Sequence, residues 1–380
     1  MNKEFPIGVP RYFEPHVNDC FHNAYAAVLL HMGLNPNLIL ADYLSFMYDS
    51  KNDFIGVNYF YRPNPSVEFS EEELNTSLEL VYFPATSFYR TAGEKAGDTR
   101  FEDRVQINMY IDDEAEPAYL HLKELLDGGK PVVAAVDLFH MSYHRAYQKE
   151  HGLHCVVFTG YNEEEGYFEL FDKFRLSSSD FDGRLPIADV NQGRMSDNPM
   201  LVGDTRQKRP VRNLWMEINA DKDFKVKDEK LLNILDESCK RMRGQKKILG
   251  YKCGLSAIED FSKALTAKKE EELDNSKVYW YRVYLNSSFK NIARSRKRFE
   301  VFVREISSLL SPQLVAELCV LLEESSKHWD ICSSVALKLG IRKSLDMTDD
   351  LVKQLEEIYE TENRIVEKLE NYLHNRGLKK

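Results

Sequence analysis

Three apolar runs in close succession constrain this chain more than any other feature. PVVAAVDLF (131–139) is the continuous β-branched run of a buried strand. LHCVVFTGYN (153–162) and GYFELFDKF (166–174) follow it, separated by the polar turn EEE, and are predicted to form an antiparallel hairpin. A further strand is predicted at VRNLWMEIN (211–219), beyond a loop rich in Gly, Ser, Asp and Asn (177–204). Two helices precede the sheet. In the first, Asp19–Met32, apolar residues Tyr25, Val28, Leu29 and Met32 recur at three- and four-residue steps, and Gly33 closes it. Asn18 or Asp19 is its expected N-cap. The second, PAYLHLKELLDGG (117–129), ends at two glycines and leads straight into the first strand. Helix followed by antiparallel sheet is an α+β pattern.

Near residue 220 the chain changes character. Charged residues then mix with Leu, Ile and Val at helical spacing to the end, and Pro312, after a serine cap, is expected to start a helix. The predicted organisation is a mixed domain over 1–220 and an all-α domain of five or six helices over 221–380, which suits a length of 380 residues. A net charge of −10 argues against general nucleic-acid binding. The basic clusters RQKRPVR (206–212), KRMRGQKK (240–247) and KNIARSRKR (290–298) read as solvated faces, or more sharply as a dock for an acidic partner. No apolar run approaches the ~20 residues that cross a bilayer, and MNKEFPIGVPRYFEP has no signal-peptide core, so a cytoplasmic protein without a membrane partner is expected. The glycines form neither GxxxxGK[ST] nor GxGxxG, so no nucleotide cofactor is expected. The six cysteines form no CxxC pair and no zinc-spaced cluster, so free thiols and no metal site are expected.

One of those thiols stands apart. Cys20 sits at the predicted start of a helix, whose partial positive charge favours thiolate over thiol, and its N–H would face an oxyanion formed on an attacked carbonyl. Cys155 lies inside an apolar strand, and the other four fall in the helical region. A cysteine nucleophile needs a base, and the base an orienting group. His154 opens its strand on the face of Val156 and Phe158, opposite Cys155, and Asp172 lies on the next strand within reach of its ring. The separation of Cys20 from His154 falls in the papain-type range. His151 is the rival base, though it falls on the loop, while His22 and His31 ride on the Cys20 helix and His22 is expected to be exposed. Asn18 is a candidate oxyanion donor, and Phe46, Tyr59, Phe60, Tyr143 and Tyr147 are candidate pocket aromatics.

The helix NDCFHNAYAAVLLHMG (18–33), together with the stretch from Asp137 to Phe174, resembles the N-terminal domain family of butirosin biosynthesis protein H. That family is similar to the papain-like and C39-type cysteine peptidases. Its pattern corresponds to Cys20, to Asp137 with Phe139 and Tyr143, to His154 with Gly160 and Tyr161, and to Asp172, and the resemblance covers about residues 10–220. It implies a papain-like fold with a helix packed on an antiparallel sheet. It also implies an acyltransferase of secondary metabolism that accepts an acyl group from the phosphopantetheine thioester of an acyl carrier protein and passes it through acyl-Cys20 to an amine. The phosphopantetheine travels on the partner, so the chain itself would hold no cofactor. The expected partners are that acyl carrier protein and a small-molecule amine, with self-association left open. Two other outcomes stay open: a cysteine peptidase or amidase using the same triad, and a non-catalytic scaffold.

Overall fold

The computed structural model describes residues 6–13, 16, 20–51, 53–57, 105–174, 179–202, 205–208, 210–221, 224–247 and 251–377. The chain is α+β, with antiparallel sheets in the N-terminal part and helices after it. Its described residues fall into two compact units, one built from 6–40 and 105–225, the other from 41–57 and 226–377. No helix of the described residues is long and apolar enough to cross a membrane.

The first unit is built on six strands: β1 Val105–Tyr110, β2 Val132–Asp137, β3 Leu153–Asn162, β4 Tyr167–Phe174, β5 Ser179–Pro186 and β6 Trp215–Ala220. Every neighbouring pair is antiparallel, in the order β1–β6–β2–β3–β4–β5. Helix α1 (Cys20–His31) packs on β3 and β4, while α2 (Ala115–Asp127) and α3 (Ile187–Met195) belong to the opposite side. There Leu122, Leu126 and Val190 share a core with Val132, Ala134, Val136, Val156 and Phe158. With both faces of the central strands covered, all six residues of β2 are buried, which is why its sequence is continuously apolar rather than alternating. Gly33 closes α1 with φ +78°, a left-handed conformation that costs glycine little.

The sequence reading of 177–204 as a loop is corrected. It contains β5, α3 and a strand at Pro199–Val202 that pairs with Thr205–Lys208. β5 forms the sheet edge, so one side of it meets water: Asp180, Asp182 and Arg184 are exposed, whereas Leu185 is buried and Phe181 packs against the core. Polar composition disguised an alternating edge strand.

The second unit holds α4 (Asp228–Met242), α5 (Leu255–Ala267), α6 (Asn286–Glu305), α7 (Pro312–Arg342) and α8 (Thr348–Asn375). Pro312 starts α7 as expected, with the Ser311 hydroxyl accepting from the Leu314 N–H. The unit is not purely helical. A three-stranded sheet of Lys252–Cys253, Met47–Asp49 and Phe54–Gly56 belongs to it. Its centre is a buried ion pair. The Glu362 carboxylate accepts from Arg296 Nε at 2.7 Å and Nη2 at 2.8 Å, from Ser325 Oγ at 2.7 Å and from Trp329 Nε1 at 2.9 Å. Arg296 Nη1 also donates to the Ser45 carbonyl at 2.7 Å, fastening the segment before the small sheet to the helices. Phe46 stacks on Trp329, with ring centroids 5.4 Å apart, so it belongs to this core. Parts of the basic clusters are also spent internally: Arg296 here, Arg243 on Glu370, and Arg212 on Asp113.

Removing one member of a buried, fully bonded charge pair strands the other, at a cost of roughly 3–5 kcal/mol. Glu362→Ala is therefore expected to destabilise the chain by about that amount in urea unfolding. A loss below about 1 kcal/mol, the ordinary worth of a surface pair, would contradict the description of this network.

Candidate active site

Helix α1 is apolar nearly all round, and Phe21 through Leu29 are all buried. A helix so enclosed is fixed in place, and its first residue, Cys20, is held with it at the end where unsatisfied N–H groups favour negative charge. Cys20 is half-buried, whereas the other five cysteines are buried, and all six are free thiols. Full enclosure also corrects the expectation for His22, which is buried at 4% exposure rather than exposed. His31 stays at the surface and is hydrogen-bonded through Nδ1 to the Gly8 carbonyl at 3.2 Å.

His154 and Asp172 meet across the β3–β4 hairpin. The imidazole Nε2 donates to Asp172 Oδ2 at 2.8 Å, and both side chains are buried. This leaves Nδ1 as the ring nitrogen for Cys20, whose side chain is hydrogen-bonded to the His154 ring. The three residues singled out in the sequence therefore stand in one line: sulfur, imidazole, carboxylate. Tyr143, expected as a substrate contact, donates its hydroxyl to the same Asp172 oxygen at 2.8 Å. Burial, followed by the adjacent Asp172 charge, pushes the phenol well above its usual range, so it remains a neutral donor. Phe181 stacks on the Tyr143 ring at 4.4 Å and holds it there.

The charges follow from these contacts. The Cys20 thiol is held well below the ordinary thiol range, first by a hydrogen bond with the Cys155 side chain. The charge and hydrogen bond of His154, with the Cys155 N–H, add to this against the opposing effect of burial. For His154, burial alone would depress the imidazole. The negative charges of Cys20 and Asp172, with their hydrogen bonds, reverse that effect and hold it well above its usual value. Both directions favour a thiolate beside an imidazolium.

Cys155 was overlooked in the sequence because an apolar strand suggested a core role. It lines one cavity with Cys20, Asn23 and Asp172. The available signal was strand alternation: Cys155 and Val157 alternate with Val156 and Phe158, and Val156 and Phe158 share the core on the α2 and α3 side. His151, the rival base, is occupied elsewhere. Its Nδ1 donates to Asp137 Oδ2 at 2.7 Å, and its ring stacks on Phe139 at 4.3 Å. Asp137, fully buried, also accepts from Ser196 Oγ at 2.6 Å, Gly152 N at 3.0 Å and Phe139 N at 3.1 Å. Burial works against that charge, and the four donors outweigh it, holding the carboxyl below its usual range. This knot fixes the segment that runs into His154. Tyr147 is half-buried and accepts from Gln148 Nε2 at 3.2 Å. Asn18, Tyr59 and Phe60 lie outside the described residues.

Fold and site together define an α+β unit with a cysteine–histidine–aspartate cluster where a helix start meets two strand ends. Residues 19–173 match the family model described as Butirosin biosynthesis protein H, N-terminal. The matched segment opens one residue before Cys20 and closes one residue after Asp172, so it contains all three. No curated protein matches the chain.

A thiolate that persists below the ordinary thiol pKa of about 8.5 should react with iodoacetamide in mildly acidic solution. At about pH 6, Cys20 is expected to be alkylated at least tenfold faster than each of the five buried thiols, as read by peptide mass spectrometry. Equal labelling of all six would contradict the charge state described above.

Proposed function

We propose that the chain is a cysteine acyltransferase of butirosin-type antibiotic biosynthesis, taking an acyl group from an acyl-carrier-protein thioester and passing it through acyl-Cys20 to an amine. The observation that carries this reading is the line Cys20–His154–Asp172, with the thiol depressed and the imidazole raised. The family match over the segment holding all three residues supports it. In the first half-reaction the Cys20 thiolate attacks the thioester carbonyl. The Cys20 N–H, at the start of α1, would stabilise the oxyanion. As the tetrahedral intermediate collapses, the carbon–sulfur bond to the carrier breaks, and the imidazolium of His154 gives its proton to the departing thiolate.

In the second half-reaction the now neutral His154 takes a proton from the incoming amine as its nitrogen attacks acyl-Cys20. An amide forms, and the Cys20 thiolate leaves beside a recharged imidazolium. Exchange between thioesters is nearly balanced, and amide formation drives the sequence forward. Asp172 holds the ring throughout with Nδ1 toward the sulfur. With a peptide or amide as the acyl donor and water as the acceptor, the same groups would perform peptidase or amidase chemistry.

The test is to incubate the purified chain with acyl carrier proteins bearing different acyl thioesters and measure intact mass. An acyl adduct on Cys20 that an amine discharges is expected, and Cys20→Ala should lose transfer by at least a thousandfold, the scale on which nucleophile removal acts. Transfer by the alanine variant at the normal rate would sink the reading.

A further inference from the structure

We propose that Cys155 is a positioning residue for the nucleophile: its thiol donates to the Cys20 sulfur and sets the resting state of the thiolate before substrate binds. This rests on Cys20 being the nucleophile. Three observations bring the two sulfurs together. Cys155 occupies an odd position of β3, on the face opposite Val156 and Phe158, and α1 packs on that strand with Cys20 as its first residue. Both cysteines line the same cavity, and Cys155 is 2% exposed, which leaves its S–H little access to water. Cys155 is paired with Ala135 on the β2 side, but the β3–β4 register begins only at Val157↔Phe171, two residues beyond it, and the Cys155 N–H is a donor to the Cys20 sulfur.

One residue thus supplies two donors, and His154 supplies a third. His154 and Cys155 from β3 bond the sulfur, Asp172 and Lys173 from β4 and Tyr12 from the N-terminal segment line the same cavity, and Tyr143 is bonded to Asp172. A thiol is a weak donor to a neutral acceptor, but toward a thiolate the bond is charge-assisted. It favours the anion and is weakened once the sulfur carries an acyl group. Cys155 therefore does two opposed things: it keeps Cys20 ionised at lower pH, and it restrains the nucleophilicity of the anion so formed.

Alkylation of Cys20 in the full chain by iodoacetamide, followed by peptide mass spectrometry across about pH 4 to pH 10, reads both effects. Cys155→Ala should raise the midpoint of the Cys20 profile by about one pH unit, slowing labelling roughly tenfold below the wild-type midpoint. On the alkaline plateau it should equal or exceed the wild-type rate. Cys155→Ser keeps a donor and should leave the midpoint near wild type. An unmoved midpoint in Cys155→Ala overturns the proposal, as does a serine variant that shifts as far as alanine. Should circular dichroism show that the alanine variant is unfolded, Cys155→Val fills the space without a donor and is read by the same two outcomes. Alkylation needs no acyl substrate, so failure here and failure of acyl transfer are separate results.

Discussion

The 2.8 Å hydrogen bond from His154 to Asp172 is the contact on which the site depends. It ties two strands of one hairpin at their open end, where the register between them has not yet begun. By occupying Nε2 it decides which ring nitrogen faces Cys20. The carboxylate in turn is held by Tyr143, itself stacked on Phe181 of the edge strand. A buried carboxylate with two donors on one oxygen is a fixed negative charge, and a fixed charge is what lets a buried imidazole stay protonated beside a thiolate. Without Asp172, burial would favour neutral thiol and neutral imidazole.

The rest of the first unit serves that contact by rigidity. The Asp137 knot anchors the turn that delivers β3, drawing on His151, Ser196 and two backbone N–H groups. At the other end of β3 the register shifts between Phe158 and Gly160, and the N-terminal segment crosses there, with Pro6 about 3.4 Å from where a Gly160 Cβ would lie. Ile7 donates to the Thr159 carbonyl at 2.8 Å beside this crossing. The glycine of the His–apolar–Gly-Tyr pattern is thus a place where two backbones approach, and the tyrosine after it reaches Asp127 at the end of α2 with a 2.8 Å hydrogen bond. These residues support the site without touching the sulfur.

Much of this was legible in the sequence because it is encoded locally. β2, β3 and β4 announce themselves by β-branched and aromatic runs, α1 by its apolar spacing and closing glycine, and α7 by Ser311–Pro312. Cys20, His154 and Asp172 could be selected because a helix start and two neighbouring strands are short-range inferences. What escaped depends on packing between distant segments. β5 looked like a loop because half of an edge strand meets solvent. His22 looked exposed because nothing local says that α1 is enclosed on every side. Cys155 looked inert because strand parity shows which face it takes but not what covers that face. The strands at Met47–Asp49 and Phe54–Gly56 are too short to carry a periodic signal, and the third strand of their sheet, Lys252–Cys253, which pairs with Met47–Asp49, lies two hundred residues on.

The charge of His154 is central to the site. Its most direct measurement is a titration of the His154 ring by NMR in the intact chain, compared with the same resonance in Cys20→Ser, which removes the thiolate and keeps the shape. The expected result is an imidazole that stays protonated well above the ordinary histidine pKa of about 6.5 and whose midpoint falls by at least one pH unit once the sulfur is gone. Identical titration in both proteins would mean that no thiolate faces the ring, and the ion pair at the centre of this description would be wrong.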